Sequence, residues 1–393
     1  MKRGVMTWLM GLSLLMGTAH ADEPKALDWA VVPLVNFTTD RGVGYGLYGA
    51  IFKPEHEAKG PPPYAAQLGA QFYQTTGGYS DHKLVVDLPR LADDRLRLEL
   101  TAGLENWDGA FYFGQGGNLP RLRPEDTPEQ FYSFGLQSLR VISKARFPLH
   151  AAIDGFVGHV ARAASIEVYP GSKLSEDRPV GSQGGLLSQV MAGAIYDVRD
   201  HELTPTTGMY TEVSARLAQS WTGSRFDMWG LNLTDRRFYT LGHPRVVLAL
   251  REGIDLQQGE VPFFHQPVLG GSQWVEVGGP LAMRGLSVGR YRANLTLIGD
   301  AEVRWEASRF ALRQSELRLF LVSFASAASF HQPGEETPDL WPHGGLGAGT
   351  RLLYNEVFMM RLDVGLGREK YTDGQEVIGG WSPGVYLAFN SPF

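Results

Sequence analysis

The stretch LRLELTAGLE, residues 96–105, decides the fold of this 393-residue chain. Its apolar and polar residues alternate without a break, so Leu98 and Leu100 share one face and Glu99 lies on the other. A period of two is typical of a β-strand whose two faces meet different surroundings. The same alternation recurs in three further segments: 66–73, 295–306 and 359–367. Strands of this kind are therefore expected throughout the chain.

The alternating segments are longer than the strands of most soluble proteins. They run for about 9 to 14 residues, whereas strands in soluble sandwiches have about 5 to 6. A tilted strand needs the greater length to cross a membrane. Sixteen segments start near Asp28, Val43, Tyr64, Asp81, Leu96, Glu129, Leu149, Gln183, Gly208, Ser224, Arg245, Arg292, Glu316, His343, Val357 and Gly380. Because an even count lets the sheet close, the sequence predicts an all-β fold, a 16-stranded antiparallel transmembrane β-barrel.

Composition excludes several classes of protein. The absence of cysteine excludes disulfides and thiolate metal sites. The formal net charge of −6 disfavours nucleic acid as a partner. No window after residue 21 approaches the roughly 18 consecutive apolar residues of a membrane-spanning helix. The 48 glycines and the aromatic content of 11 % indicate β-structure outside the cytoplasm.

The first 21 residues are typical of a secretory signal peptide. Lys2 and Arg3 precede an apolar run over 5–16, and Ala19-His20-Ala21 forms a small-x-small cleavage site. Residues 22–393 are then expected to form one barrel, since each strand with its connection takes about 23 residues and leaves none for a second domain. Export and a barrel together predict the bacterial outer membrane. Its lipids, and the assembly machinery during insertion, are the expected partners.

Connections between the predicted strands alternate in length. Short ones are expected at 146–148 and 354–356, and long ones at 106–130, 166–183 and 261–291. With both chain ends in the periplasm, the long connections fall outside the cell. The last predicted strand is aromatic, and we interpret Phe389 and Phe393 as a C-terminal insertion signal.

Signals for enzymatic chemistry are weak. The zinc motif H-E-x-x-H and the nucleotide loop G-x-x-x-x-G-K-S/T do not occur. His201-Glu202 begins like a metal motif, but Pro205 stands where the second histidine should be. No catalytic, cofactor-binding or metal-binding residue is predicted. A Ser-His-Asp site assembled in space stays open, because such triads are recognised by geometry.

The longest connection is rich in glycine and ends in LAMRGLSVGRYR, residues 281–292. One interpretation is a flexible surface loop in which glycine serves turns. The other is a loop folded back into the barrel lumen. In that case the Arg284 guanidinium is anchored on carboxylates of the wall, and Gly285 allows close approach of the backbone. Composition leaves both interpretations open.

Within this segment, Met283-Arg284-Gly285-Leu286 resembles the V/I-R-G-F/Y motif in the sixth loop of the BamA/TamA-type surface-antigen barrel superfamily. Further counterparts of family motifs stand in the expected order: Tyr196-Asp197-Val198-Arg199-Asp200, Ala301-Glu302-Val303-Arg304, Arg361-Leu362-Asp363-Val364-Gly365 and Asn390-Ser391-Pro392-Phe393, with a looser match at 111–118. Together they span most of the chain. The resemblance implies a 16-stranded outer-membrane barrel that inserts or exports proteins, or acts with lipid-active partners.

The sequence departs from the family pattern in two ways. Family members that handle polypeptides usually carry periplasmic POTRA domains, and residues 22–27 leave no room for one. We therefore expect a separate periplasmic partner. The family motif F-x-D-x-G on strand thirteen corresponds here to 323–327, with Ala325 where the aspartate would stand. The carboxylate that the resemblance implies for the loop arginine is thus expected to be missing.

Another carboxylate must then bind Arg284, because an unpaired guanidinium in a lumen would cost several kcal/mol. Glu302 is the first choice, since it belongs to the E-x-R match. Asp300 and Asp363 are the other candidates on neighbouring predicted strands.

Proline placement points to the junction between the first and last strands. Pro33 lies inside the first predicted strand, and Pro383 and Pro392 lie in the last. Proline donates no ladder hydrogen bond and is confined to edges. The pattern predicts either a weak seam that opens laterally or proline near strand ends at little cost, and both stay open.

Three functions follow from these observations. The leading one is a translocation or assembly barrel for protein or lipid, with a separate periplasmic partner and a plugged pore. The second is a passive channel or structural surface protein, with steady conductance if it is a channel. The third is an outer-membrane enzyme acting on lipid, which requires Ser, His and a carboxylate within hydrogen-bond reach.

Overall fold

A computed structural model describes residues 27–55, 64–117, 130–202, 204–312, 315–334, 343–354, 358–373 and 376–388. Sixteen strands in these residues form one closed antiparallel barrel. They are β1 Asp28–Thr38, β2 Gly42–Pro54, β3 Tyr64–Thr75, β4 Tyr79–Leu91, β5 Leu96–Phe111, β6 Ser133–His150, β7 Ile153–Glu167, β8 Gly185–Asp197, β9 Gly208–Ala218, β10 Met228–Thr240, β11 Val246–Gly259, β12 Leu295–Leu312, β13 Ser315–His331, β14 His343–Tyr354, β15 Phe358–Asp373 and β16 Glu376–Ala388. The predicted fold class is confirmed, and every predicted strand start lies within four residues of the observed one.

Each strand pairs with its neighbours in the chain, and β16 pairs with β1 to close the sheet. β11 and β12 pair across a long connection, 260–294, which we call loop six. The end of the barrel that carries loop six is called the loop rim. The opposite end, where β1 begins and β16 ends, is called the terminal rim. One short helix, α1 Lys173–Asp177, lies in the β7–β8 connection at the loop rim.

The short turn predicted at 146–148 was wrong. These residues lie inside β6, and the β6–β7 turn follows at 151–152, where Ala151 has a left-handed φ of 44°. Pro148 continues the strand near its end at the terminal rim. The turn predicted at 354–356 falls mostly outside the described residues. No described helix has the length and apolar character that a membrane span requires.

The outer wall is apolar between two aromatic belts. Leu98 and Leu100 face outward as predicted, and Leu100 is 43 % exposed. Exposed aromatic side chains near the loop rim are Tyr45, Phe72, Trp221, Trp229 and Trp381. Those near the terminal rim are Trp29, Tyr196, Tyr239, Trp305 and Phe310. Two such belts around an apolar band are the pattern of a barrel that spans a membrane.

The inner wall is polar and charged, and loop six occupies much of the space it encloses. Glu99 faces inward and lies 2.7 Å from the Lys144 ammonium. Near the loop rim, loop-six aromatics such as Phe263 and Phe264 pack among buried side chains of the wall and of the β5–β6 connection. Met283 and Leu286, at the tip of loop six, are fully buried in a second apolar cluster with Tyr291 and Phe330.

Candidate functional site

Loop six folds into the lumen. Its small hairpin, Val268–Leu269 against Val275–Glu276, is tied to the inner wall on one side. The Gly270 amide donates to Oδ1 of Asp255 on β11 at 2.8 Å. Ser272 donates through both its amide and its hydroxyl to Glu212 on β9, at 2.5 Å each. Of the two interpretations left open by composition, the inserted loop is confirmed.

Arg284 lies at the tip of the inserted loop and is 1 % exposed. Its Nη2 atom is 2.5 Å from Oε1 of Glu302 on β12, and its Nη1 donates to Oδ2 of Asp363 on β15 at 3.1 Å. The guanidinium carbon lies 3.5 Å from the ring centre of Phe324 on β13. An ion pair, a charge-assisted hydrogen bond and an aromatic face together compensate for removing this cation from water. One loop residue thereby binds three strands of the wall.

Three further arginines bind the same two carboxylates. Arg351 donates to Oδ1 of Asp363 at 2.6 Å and to Oε1 of Glu302 at 3.1 Å. Arg304 donates to Oε2 of Glu302 at 2.8 Å, and Arg361 donates to Oδ2 of Asp363 at 2.9 Å. We call this set the loop-six cluster: Arg284, Glu302, Arg304, Arg351, Arg361 and Asp363. Because wall arginines hold both carboxylates, the cluster keeps ion pairs even without Arg284.

Asp300, the remaining candidate partner, lies beside the cluster but binds other groups. Its Oδ2 accepts from Arg251 on β11 at 2.6 Å, and its Oδ1 accepts from Ser326 at 2.6 Å. Arg251 also donates to the carbonyl of Leu281 at 3.0 Å. Asp300 thus acts on loop six through Arg251.

The strand-thirteen position that meets Arg284 differs from the one inferred from the family motif. Ala325 is exposed on the outer wall, while Phe324 and Ser326 face the lumen. An aspartate at 325 would point away from Arg284, because successive side chains of a strand face opposite sides. Phe324, which does face the lumen, offers its ring to the guanidinium.

A row of inward glycines makes room for the tip of loop six. A Cβ on Gly345 of β14 would lie 2.5 Å from the carbonyl oxygen of Arg284, and one on Gly367 of β15 would clash with the Gly285 backbone. Gly285 itself has a φ of 102°, which favours glycine, and its own Cβ would meet the Gly367 backbone. This row was not predicted from the sequence. Its signal was inward glycines at every second position, Gly345, Gly347 and Gly349, continued by Gly365 and Gly367.

Four family-motif residues lie at the β8–β9 turn of the terminal rim, far in the chain from the loop-six cluster. They are Tyr196, Asp197, Arg199 and Asp200. Arg199 makes a two-bond ion pair with Asp197, at 2.8 Å for each bond. Asp200 accepts hydrogen bonds from the amides of Thr206 and Thr207 and so shapes the turn. Tyr196 faces outward in the aromatic belt. These residues order a turn, and the structure does not bring them to Arg284.

The described parts of β1 and β16 meet over a short seam. Two residue pairs are described across it, Phe37 opposite Leu387 and Thr38 opposite Tyr386. The junctions on either side have eleven pairs for β1–β2 and thirteen for β15–β16. Phe389, Phe393 and Pro392 lie outside the described residues.

The requirements of a lipid-active enzyme are met only in part among the described residues. His159 Nε2 lies 2.8 Å from Ser188 Oγ, but that hydroxyl donates its proton to the carbonyl of Thr222. The segment 285–289, GLSVG, matches the hydrolase pattern G-x-S-x-G, yet it lies in loop six and not in the strand-to-helix turn that the motif requires. No group of three potential metal ligands occurs in the described part of the chain.

Comparison with solved structures agrees with this architecture. The chain resembles BamA from Haemophilus ducreyi lacking POTRA domains 1–3, with a TM-score of 0.57 and 12 % identity, over 92 % of this chain and 70 % of that one. It also resembles CdiB from Escherichia coli, with a TM-score of 0.55 and 11 % identity, over 92 % of this chain and 63 % of that one. At these identities the likeness concerns the fold.

Comparison at the level of sequence identifies the family. A search of curated proteins gives no match. The family model described as the Omp85 superfamily domain matches residues 87–393, well over half of the chain. The family resemblance inferred from the loop-six and strand motifs is thereby confirmed. The chain belongs to the Omp85 superfamily.

Proposed function

We propose that this barrel lies in the bacterial outer membrane and moves or assembles protein or lipid cargo laterally through its seam, together with a separate periplasmic partner. The observation that carries the proposal is that two residue pairs join the described parts of β1 and β16, beside a lumen that loop six largely fills. A barrel with an occupied lumen offers cargo no wide axial path. Among the described residues this junction has the fewest paired positions, and fewer ladder hydrogen bonds lower the free energy of opening.

Arg284 acts as the latch of the plug in this proposal. Its ion pairs with Glu302 and Asp363 hold loop six against β12 and β15, and Met283 and Leu286 bury apolar surface on either side of it. The plug argues against the passive-channel alternative, which requires an open lumen and steady conductance. Conductance of the purified protein in planar bilayers separates the two, because a latched barrel should stay nearly closed.

A partner on the periplasmic side would meet the terminal rim. A charged cavity of about 610 Å³ opens there beside the β8–β9 turn. Arginines and carboxylates of the wall, including Arg97, Arg146, Asp154 and Arg199, line this cavity. A polar partner surface with both signs of charge would complement it.

Locking the seam tests the proposed function. Cysteines replacing Phe37 and Leu387 would face each other across the seam, and the chain offers no competing thiol. The locked protein should fail to restore the outer-membrane proteome or lipid composition of a deletion strain, and reduction should restore it. A matched pair at Leu233 and Ile254 bridges the continuous β10–β11 junction and should leave activity intact. Full activity of the locked seam would refute lateral movement.

The deletion strain also separates the two classes of cargo. Loss of particular outer-membrane proteins would assign a protein cargo, whereas a changed lipid composition with a normal proteome would assign a lipid cargo. No change in either would refute the proposal and leave the structural surface protein.

A further inference from the structure

We infer that loop six clamps the two edges of the seam together at the loop rim, through Tyr386 on β16 and Asp40 in the β1–β2 turn. The seam then cannot open at the loop rim until loop six moves. The inference rests on the proposed function insofar as it concerns regulation of the same seam.

The β16 edge is held by a side chain that reaches the latch. The Tyr386 hydroxyl accepts a hydrogen bond from the Gly285 amide at 3.0 Å, and Tyr386 is 1 % exposed. Tyr386 is also one of the two β16 residues paired with β1, opposite Thr38. The residue next to the Arg284 latch is thus bonded to the seam itself.

The β1 edge is held by the turn that follows it. Asp40 accepts a hydrogen bond from the Val288 amide at 3.3 Å. Burial raises the pKa of the Asp40 carboxyl, and its polar neighbours Ser287 and Val288 in loop six oppose the rise. Arg41 lies 3.2 Å from Glu276 of loop six, with its guanidinium stacked 3.9 Å from the Tyr79 ring centre. Two consecutive turn residues therefore bind loop six.

The two edges are joined by four consecutive residues of loop six. Gly285 bonds β16 and Val288 bonds the β1–β2 turn, so segment 285–288 bridges the seam. Among the described residues, direct bonds across the seam near this point are few. They comprise those of the two residue pairs and the one that the Val385 amide donates to the Thr39 hydroxyl at 3.0 Å. Because the bridge begins one residue after Arg284, movement of the latch would release it.

Distances across the seam test the clamp. Spin labels on cysteines replacing Phe37 and Leu387 report the separation of β1 and β16 in purified protein reconstituted in lipid. Asp40→Ala should raise the ratio of open to closed seam about tenfold, since it removes a hydrogen bond to a charged group. Tyr386→Phe removes a single neutral hydrogen bond with little change of shape and should raise the ratio about threefold.

Asp177→Ala is the matched control, because Asp177 is a loop-rim carboxylate that binds Tyr112 and Lys173 away from the seam. It should leave the distances unchanged. Unchanged distances in both Tyr386→Phe and a folded Asp40→Ala would overturn the clamp. If Asp40→Ala does not fold, Tyr386→Phe alone decides.

The clamp and the proposed function can fail separately. Wider seam distances in the variants, with full activity of the seam-locked protein, would keep the clamp and refute lateral movement. Unchanged distances, with loss of activity on locking, would refute the clamp and keep lateral movement.

Discussion

Two junctions of the barrel wall differ sharply in how they are held. β12 and β13 pair over seventeen residue positions, and their inner faces carry Glu302 and Phe324, which bind Arg284. β16 and β1 pair over two described positions, and loop six contributes additional bonds there. The first junction is a support on which loop six rests, and the second depends on loop six for part of its strength.

Loop six therefore has two roles: it is anchored on the β12–β13 junction, and it strengthens the seam. Ladder hydrogen bonds are numerous and individually modest, so a seventeen-position junction stays closed without help. Where two positions pair in the described part of the seam, a few bonds from loop six make a large relative contribution to the free energy of opening. The chain can thus change its seam by moving one loop while the rest of the wall stays intact.

Of the substitutions considered, removing the Arg284 side chain should have the largest effect on how loop six is held. Arg284→Ala takes one partner from a buried ion pair, which typically costs about 3 to 5 kcal/mol, and the arginines left in the cluster should keep the cost at the lower end. We expect loop six to leave the lumen while the barrel stays folded. Pore conductance should rise, and proteolysis between 270 and 292 should accelerate. Wild-type conductance and protease resistance would contradict the latch.

Membrane insertion of the barrel wall can be disrupted by a substitution on its outer face. Leu100→Arg places a charge in the outward apolar band of β5, at a cost of about 2 to 4 kcal/mol at mid-depth. Glu99→Gln, one residue away and facing inward, is the matched control and should be mild. Membrane insertion is measured by heat-modifiable electrophoretic mobility. Wild-type mobility for both variants would speak against a membrane-embedded wall.

The close packing of the loop-six tip against β15 can be tested at Gly285. Alanine there must adopt a φ of 102° and also meets the Gly367 backbone, so we expect destabilisation of the seated loop by at least about 1 to 3 kcal/mol. Gly223→Ala is the control, because Gly223 has a φ of 82° with nothing within 4 Å of an added Cβ. Protease sensitivity of loop six should rise for the first variant alone. Equal sensitivity would mean that close approach to β15 is unimportant.

The smallest effect is expected from Arg284→Lys. An ammonium keeps the charge but lacks the planar fork that reaches Glu302 and Asp363 together. Conductance should therefore fall between that of the wild type and that of Arg284→Ala. A lysine variant identical to the wild type would show that charge alone holds the loop.

Much of the fold was predictable because every strand has an apolar outer face and a polar inner face, and this contrast leaves an alternating pattern in the sequence. Alternation at 96–105 and 295–306 identified the faces, since a shift by one residue would expose charge on the outer wall. The turn placed at 146–148 was wrong because β6 continues through Pro148. Proline is tolerated near a strand end, so the strand continues for two more residues.

The site was harder to predict because its residues come from a loop and several strands that are distant in sequence, and the pairing register of those strands decides which residues meet. The motif match suggested Glu302, the position of its strand suggested Asp363, and both form ion pairs with Arg284. The match also selected Ala325, which faces the wrong side, because a one-residue offset in a strand reverses its face. Tyr386 and Arg351 carry no local signal, and the alternating glycines do not by themselves show which segment approaches them. Their roles depend on where loop six enters the lumen.

Hydrogen exchange tests the central claim most directly, namely that the seam is the weak junction and is supported by loop six. We predict that amides at 37–38 and 386–387 exchange earlier than those of β12 and β13 in the wild type. Exchange at the seam should become faster still in Arg284→Ala, while β5 and β6 stay unchanged. A seam as protected as β12 and β13, with no response to the variant, would contradict the account.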